Sequence, residues 1–95
     1  MKTYTVRFMP FSDIGERVFT ETHDYIAPSI IRACEWALAY GSDDLFYRHG
    51  DPAEWLVTVF ITQKDDQSRK HRRFLTFDPT NPPKASAFKK WERKE

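Results

Sequence analysis

The sequence predicts a small two-layer α+β domain of order ββαββ: a four-stranded antiparallel sheet with one helix packed on one face, followed by a Pro-containing basic C-terminal tail. Three observations predict it. Residues 4–9 alternate apolar and polar groups at the period of two expected of a half-buried strand. Residues 28–40 carry apolar groups at helical spacing between a proline and a glycine, and residues 55–61 are nearly all β-branched or aromatic. At 95 residues the chain makes one domain, with a core over about residues 3–78 and a tail over 79–95. Eight Phe, four Tyr and three Trp supply the core volume that so short a chain would otherwise lack.

In the first strand Tyr4, Val6 and Phe8 point one way and Thr5, Arg7 and Met9 the other. The break at Ser12-Asp13-Ile14-Gly15 places a glycine where a left-handed residue closes a short hairpin, so a second strand is expected over residues 16–23. Pairing Ser12 with Glu16 sets Arg7 opposite Glu21 and Met9 opposite Phe19. Tyr4, Val6, Phe8, Val18, Thr20 and Thr22 then share the other face.

The helix is expected from Pro28, which suits a first helical position, to Tyr40, with Gly41 as its cap. Ile30, Ile31, Cys34, Ala37 and Leu38 form its apolar stripe, centred near Cys34, which sets Trp36 on the outer face among Ser29, Arg32, Ala39 and Tyr40. Residues 42–53 read as a loop with one helical turn held by Leu45, Phe46 and Tyr47. The run from Trp55 to Thr62 is apolar on both faces, as a mid-sheet strand requires. After the polar turn at residues 64–68, residues 69–77 return as an edge strand that ends before Pro79, Pro82 and Pro83. The last segment, 85–94, is at most a short helix.

Charge is distributed unevenly. Residues 63–95 carry ten Lys/Arg against five Asp/Glu, and residues 1–62 carry five against nine, so a net charge of +1 conceals a dipolar chain. The basic cluster Arg69, Lys70, Arg72 and Arg73, with Lys89 and Lys90 in the tail, is a candidate contact for nucleic acid or an acidic partner. On a strand, however, Lys70, Arg72, Phe74 and Thr76 face one way and His71, Arg73, Leu75 and Phe77 the other. The cluster is thereby split, and charged edge strands also serve to block aggregation. Arg32, Trp36 and Tyr40 on the outer helix face, with Asp43 and Asp44 in the acidic loop, form a candidate protein-interaction surface, since Trp, Tyr and Arg dominate binding energy at interface centres.

No metal or cofactor is expected. Asp43, Asp44, His49, Asp51 and Glu54 match no calcium or zinc spacing. Cys34 and the histidines His23, His49 and His71 are the only conventional nucleophile and base candidates, and Cys34 lies on the apolar stripe, where a thiol is packing. Catalysis is therefore not expected. A single cysteine excludes an internal disulfide and suits a reducing compartment. No apolar run approaches the roughly 18 residues of a membrane span, and the N-terminal residues run straight into strand alternation. The expectation is a cytoplasmic protein without a membrane partner.

A short ββαββ layout with an aromatic-rich surface and no catalytic set resembles many small phage or mobile-element proteins, some of which bind and inhibit host complexes. The resemblance covers architecture and size alone. It implies a non-enzymatic protein-binding module acting on another protein or on a second copy of itself. The alternative is a nucleic-acid binder using residues 69–73 and the tail.

Overall fold

The computed structural model describes residues 1–12, 19–45, 55–65 and 71–90. Its elements are β1 (Lys2–Ser12), β2 (Glu21–Ala27), α1 (Ile30–Ala39), a π-helical turn (Tyr40–Asp44), β3 (Trp55–Gln63), β4 (Arg72–Phe77), a 3-10 turn (Ala85–Ala87) and β5 (Lys89–Lys90). The strands form one open antiparallel sheet in the order β2-β1-β3-β4-β5. Among the described residues the fold is thus α+β with one α-helix, and the sheet has five strands and not four. The fifth comes from the presumed tail: Phe88 packs on the core, and Lys90 and Lys89 pair with Arg73 and Phe74.

β1 and β3 behave as their composition dictates. Tyr4, Val6, Phe8 and Pro10 from β1, with Val57, Val59 and Ile61 from β3, are buried on one face and form the floor of the core. Pro10 is tolerated because it lies past the end of the β1–β2 ladder, which stops at Phe8 opposite Glu21. β3 sits mid-sheet, as its doubly apolar pattern requires.

β2 departs from expectation in place and in register. It spans Glu21–Ala27, and the observed pairing sets Arg7 opposite Thr22 and Phe8 opposite Glu21. The expected pairing of Arg7 with Glu21 is therefore off by one residue, which exchanges the two faces of the strand. Glu21, His23, Tyr25 and Ala27 lie on the helix side, while Thr22, Asp24 and Ile26 lie on the open side. The expected hairpin closure at residues 13–15 falls outside the described residues.

The helix also turns relative to expectation. Ser29 caps its N-terminus, its hydroxyl accepting from the Arg32 amide at 3.4 Å, so Pro28 precedes the cap. Ala33, Cys34, Ala37 and Leu38 are buried, Ile30 is partly buried, and Ile31 is 51% exposed. At about 100° per residue this buried arc is centred close to Ile30, roughly 40° away from Cys34. The shift arises because Ile31 faces outward and Ala33 inward.

Trp36 consequently lies on the rim above β2, not on the outer face. It stacks on Tyr25 at 4.4 Å and 10°, stacks on Tyr40 at 5.1 Å, and meets Phe8 and His23 edge-on at 5.9 Å each. Tyr40, also expected outside, is buried, and its hydroxyl donates to Glu21.

Ala33, Ala37 and Gly41 recur every four residues along α1 and its continuation, a ridge of small groups that lets the helix approach the sheet closely. Gly41 does not end the helix as a left-handed cap. It lies buried inside the π-helical turn, where an added Cβ would stand 3.1 Å from Phe77 Cζ and 3.4 Å from Phe8 Cε1. Asp43 and Asp44 belong to this turn and are exposed, and Leu45 closes it as a fully buried residue.

Two stability outcomes follow from this packing. Trp36→Ala should lower unfolding free energy by about 3 kcal/mol in urea titration, the order found for large aromatic truncations in cores. An unchanged midpoint would show that Trp36 is not part of the seam. Gly41→Ala should destabilise by about 1 kcal/mol despite its better helix propensity, because both facing rings are buried and an overpacked core has little room to yield.

Candidate functional site

The strand registers combine into one row across the whole sheet. On the face opposite the helix, Thr22 pairs with Arg7, Arg7 with Phe60, Phe60 with Phe74, and Phe74 with Lys89. Each step crosses about 4.8 Å. Two phenyl rings on neighbouring central strands, 6.3 Å apart and inclined at 26°, therefore stand between a guanidinium and an ammonium group. The adjacent row reads Asp24, Thr5, Thr62, Arg72. Among the described residues no element packs on this face.

A groove of about 400 Å³ runs over it, lined by Thr5, Arg7, Met9, Phe60, Thr62 and Arg72. Leu56 and Ile26 extend the apolar surface toward either side, at 51% and 62% exposure. Thr58 and Thr76 hydroxyls bond each other at 2.8 Å across β3 and β4. Asp24 is held by Lys64 at 2.8 Å and by the Thr5 hydroxyl at 3.2 Å. The Lys64 hydrogen bond, then that of Thr5, keeps the Asp24 carboxyl below its ordinary range, and Asp24 in turn raises the Lys64 ammonium. The one carboxylate among the strand residues of this face thus has its own cation. Arg7, Arg72 and Lys89 are the other charged strand residues of this face.

The expected site residues are dispersed by the fold. Arg72 is on the open face and Arg73 on the helix side, as strand alternation requires, with Arg73 Nη1 donating to the Arg72 carbonyl at 2.9 Å. Lys89 and Lys90 split in the same way across β5. Arg69 and Lys70 lie outside the described residues, as do His49, Asp51 and Glu54 of the acidic loop. Arg32 stays on the outer helix face, 3.9 Å from Glu35, while Trp36 and Tyr40 are taken into the core seam.

Arg7, Phe60 and Phe74 were missed as site residues. Their signal was present: β3 is apolar on both faces, so one of its faces carries an aromatic that the core does not use, and the partner strands carry Arg7 and Phe74 at matching parity.

A second polar cluster lies under Trp36, where Glu21 Oε1 stands 2.6 Å from His23 Nε2 and accepts from Tyr40. It anchors the end of β2 to the start of the π-helical turn. Among the described residues no group of three or more His, Cys, Asp or Glu side chains is placed to hold a metal. No described helix is long and apolar enough to cross a membrane. No family model matches the chain, nor does any curated protein or solved structure.

Cys34 is fully buried, and burial pushes its thiol up to about 11, with Arg73 nearby pulling against that rise. Burial also raises Tyr4, and Cys34 adds to it. Both groups are neutral when protonated, so the folded state holds protons that the unfolded chain releases above pH 9.0, the ordinary thiol value. Stability should be at its full value below pH 9 and fall as pH rises toward about 11. Thermal melts across that window should show the decline, and Cys34→Ala should flatten it. A melting temperature that holds constant between these limits would exclude a buried neutral thiol.

Proposed function

We propose that this protein is a non-enzymatic binding module whose working surface is the open face of its sheet, centred on the row Arg7, Phe60, Phe74 and Lys89. The observation that carries this reading is the register itself: four strands place two rings and two cations in one line, beside a groove, on a face that no described element covers. An uncovered surface of this kind, aromatic at its centre and basic around it, has the composition of a recognition site. The absence of a catalytic role is supported by chemistry: Cys34 is sealed in the core with a raised pKa, and His23 is engaged by Glu21. Acting as an accessory or inhibitor of a larger complex would require binding alone.

A protein partner, or a second copy, docked on the outer helix face is the other reading. It loses its aromatic anchors, because Trp36 and Tyr40 pack against β1 and β2. What remains there is Ile31, with Arg32 and Glu35 close enough to pair with each other.

The two surfaces are separated by capture from a lysate of the cells that make the protein, using wild type, a face variant (Arg7→Glu, Phe74→Ser) and a helix variant (Ile31→Asp, Arg32→Glu). Retained material, whether protein or nucleic acid, should be lost with the face variant and kept with the helix variant, both variants melting within a few degrees of wild type. The reverse pattern would overturn the reading.

A further inference from the structure

We infer that the outer edge of β2 pairs with the same edge of a second copy of the chain, joining two sheets into one across a two-fold axis. The direction of the peptide groups shows what this edge offers. The Lys64 amide donates to the Thr3 carbonyl at 2.9 Å, and peptide groups alternate along a strand, so Thr3, Thr5 and Arg7 address β3 whereas Lys2, Tyr4, Val6 and Phe8 address β2. The residues that answer them are Ala27, Tyr25, His23 and Glu21. Thr22, Asp24 and Ile26 therefore turn their N–H and C=O groups outward; all three are exposed, and none has a partner for these groups among the described residues. The two edges of the sheet differ in protection. β5 is two lysines, whereas β2 runs for seven residues in unbroken register without Lys, Arg or Pro. Its two carboxylates lean inward: Asp24 accepts from Thr5 at 3.2 Å and from Lys64 at 2.8 Å, and Glu21 is engaged by His23 and Tyr40. An edge of that length, without guarding charge, is suited to pairing.

Side chains select the second copy and its register. A two-fold axis normal to the sheet keeps each face on its own side, so it must pass through a residue position and not between two. Centred on Asp24, it sets two carboxylates directly opposite each other, which destabilises a pair; centred on Tyr25, it sets each carboxylate against Ile26. Centred on His23, it sets Asp24 of each copy opposite Thr22 of the other, whose hydroxyl can donate to the carboxylate, and Glu21 opposite Tyr25. The peptide groups of Thr22 and Asp24 then close one hydrogen-bonded pair on either side of the axis. Arg7, the register partner of Thr22, stands one strand behind it and adds positive charge on the side from which the second Asp24 approaches. β2 thus complements itself in side chains as well as in main chain. An unrelated extended segment would match the main chain alone.

The test is sedimentation velocity of the full chain over about 5 to 500 µM, because one short ladder buries less than a standard stable interface and a Kd on the order of 10–100 µM is expected. Thr22→Pro removes an outward N–H without taking a hydrogen bond from β1, and should leave the chain monomeric throughout. Thr22→Lys, which brings an ammonium opposite Asp24, should tighten the dimer about threefold, and Thr22→Asp should weaken it about threefold. Phe74→Ser, three strands away on the open face, should dimerise as wild type does. Hydrogen exchange by NMR should show the Thr22 and Asp24 amides slowed at the high end of the range and unprotected at the low end. A wild type that stays monomeric, a dimer that survives Thr22→Pro, a dimer lost with Phe74→Ser, or equal exchange of these two amides at both ends would each overturn the inference. Should Thr22→Pro fail to fold, the Lys and Asp variants decide: opposite effects sustain the pairing, and like effects overturn it.

Discussion

The structure depends on one contact, the stack of Trp36 against Tyr25 and Tyr40. Trp36 projects from the rim of α1 onto β2, and its indole covers the ring of Tyr25 at 4.4 Å while His23 and Phe8 meet it edge-on. Aromatic pairs of this geometry add roughly 0.5–1.5 kcal/mol each beyond the area they bury. The larger consequence is topological. With Tyr25 and Ala27 under the helix, the period of two sends Glu21 and His23 the same way and Thr22, Asp24 and Ile26 to the far side. The seam thereby decides which face of β2 is core and which is surface. Glu21 is tolerated at that depth because Tyr40 and His23 both reach its carboxylate.

That seam and the small-residue ridge are two halves of one device. Ala33, Ala37 and Gly41 bring the helix backbone down onto Phe8 and Phe77, and the large rings of Trp36 and Tyr40 fill the space this leaves along the β2 side. Gly41 must be the last of the ridge because the π-helical turn carries the chain directly over the two phenyl rings. Leu45 then enters the core at the point where a regular helix would have rotated it elsewhere. With α1 so placed, the one described α-helix covers the core face of the sheet, and no described element packs on the other face.

How much of this the sequence made legible depends on the range of the interaction. β1, β3 and the alternation of β4 were readable, β1 because one strongly apolar parity specifies its facing and β3 because a run apolar on both faces marks a central strand. The split of Arg72 from Arg73 follows from the same rule. β2 was not readable: Glu21-Thr22-His23-Asp24 carries no apolar parity, and its register is set by Tyr25 and Ala27 through contacts with a helix not yet formed. Trp36 fails for a related reason, since the stripe can be drawn through Ile31 or through Tyr40, and only packing on Tyr25 and His23 of β2 decides. β5 carries no strand signal of its own. It exists because Phe88 anchors on the core and delivers Lys89 and Lys90 to the open edge of β4. The candidate site was half legible, Arg72 and Lys89 having been singled out by charge, whereas Arg7, Phe60 and Phe74 become a site only when two ladders align them.

Charge on a sheet has a protective use that must be set against recognition. Lysines on short outer strands block edge-to-edge pairing, and β5, two residues long and both of them lysine, fits that use fully. Protection, however, places charge where a strand lacks a neighbour. Arg7 sits on β1, between β2 and β3, and Arg72 on β4, between β3 and β5. Neither strand is an edge, and both side chains rise from the flat of the open face beside Phe60 and Phe74 and not from its margin. Solubility alone would be served better by removing the rings, since even a half-buried phenyl pair on a sheet face invites the association that the charges are supposed to prevent. Keeping both, in register, on interior strands fits the binding role proposed for this face.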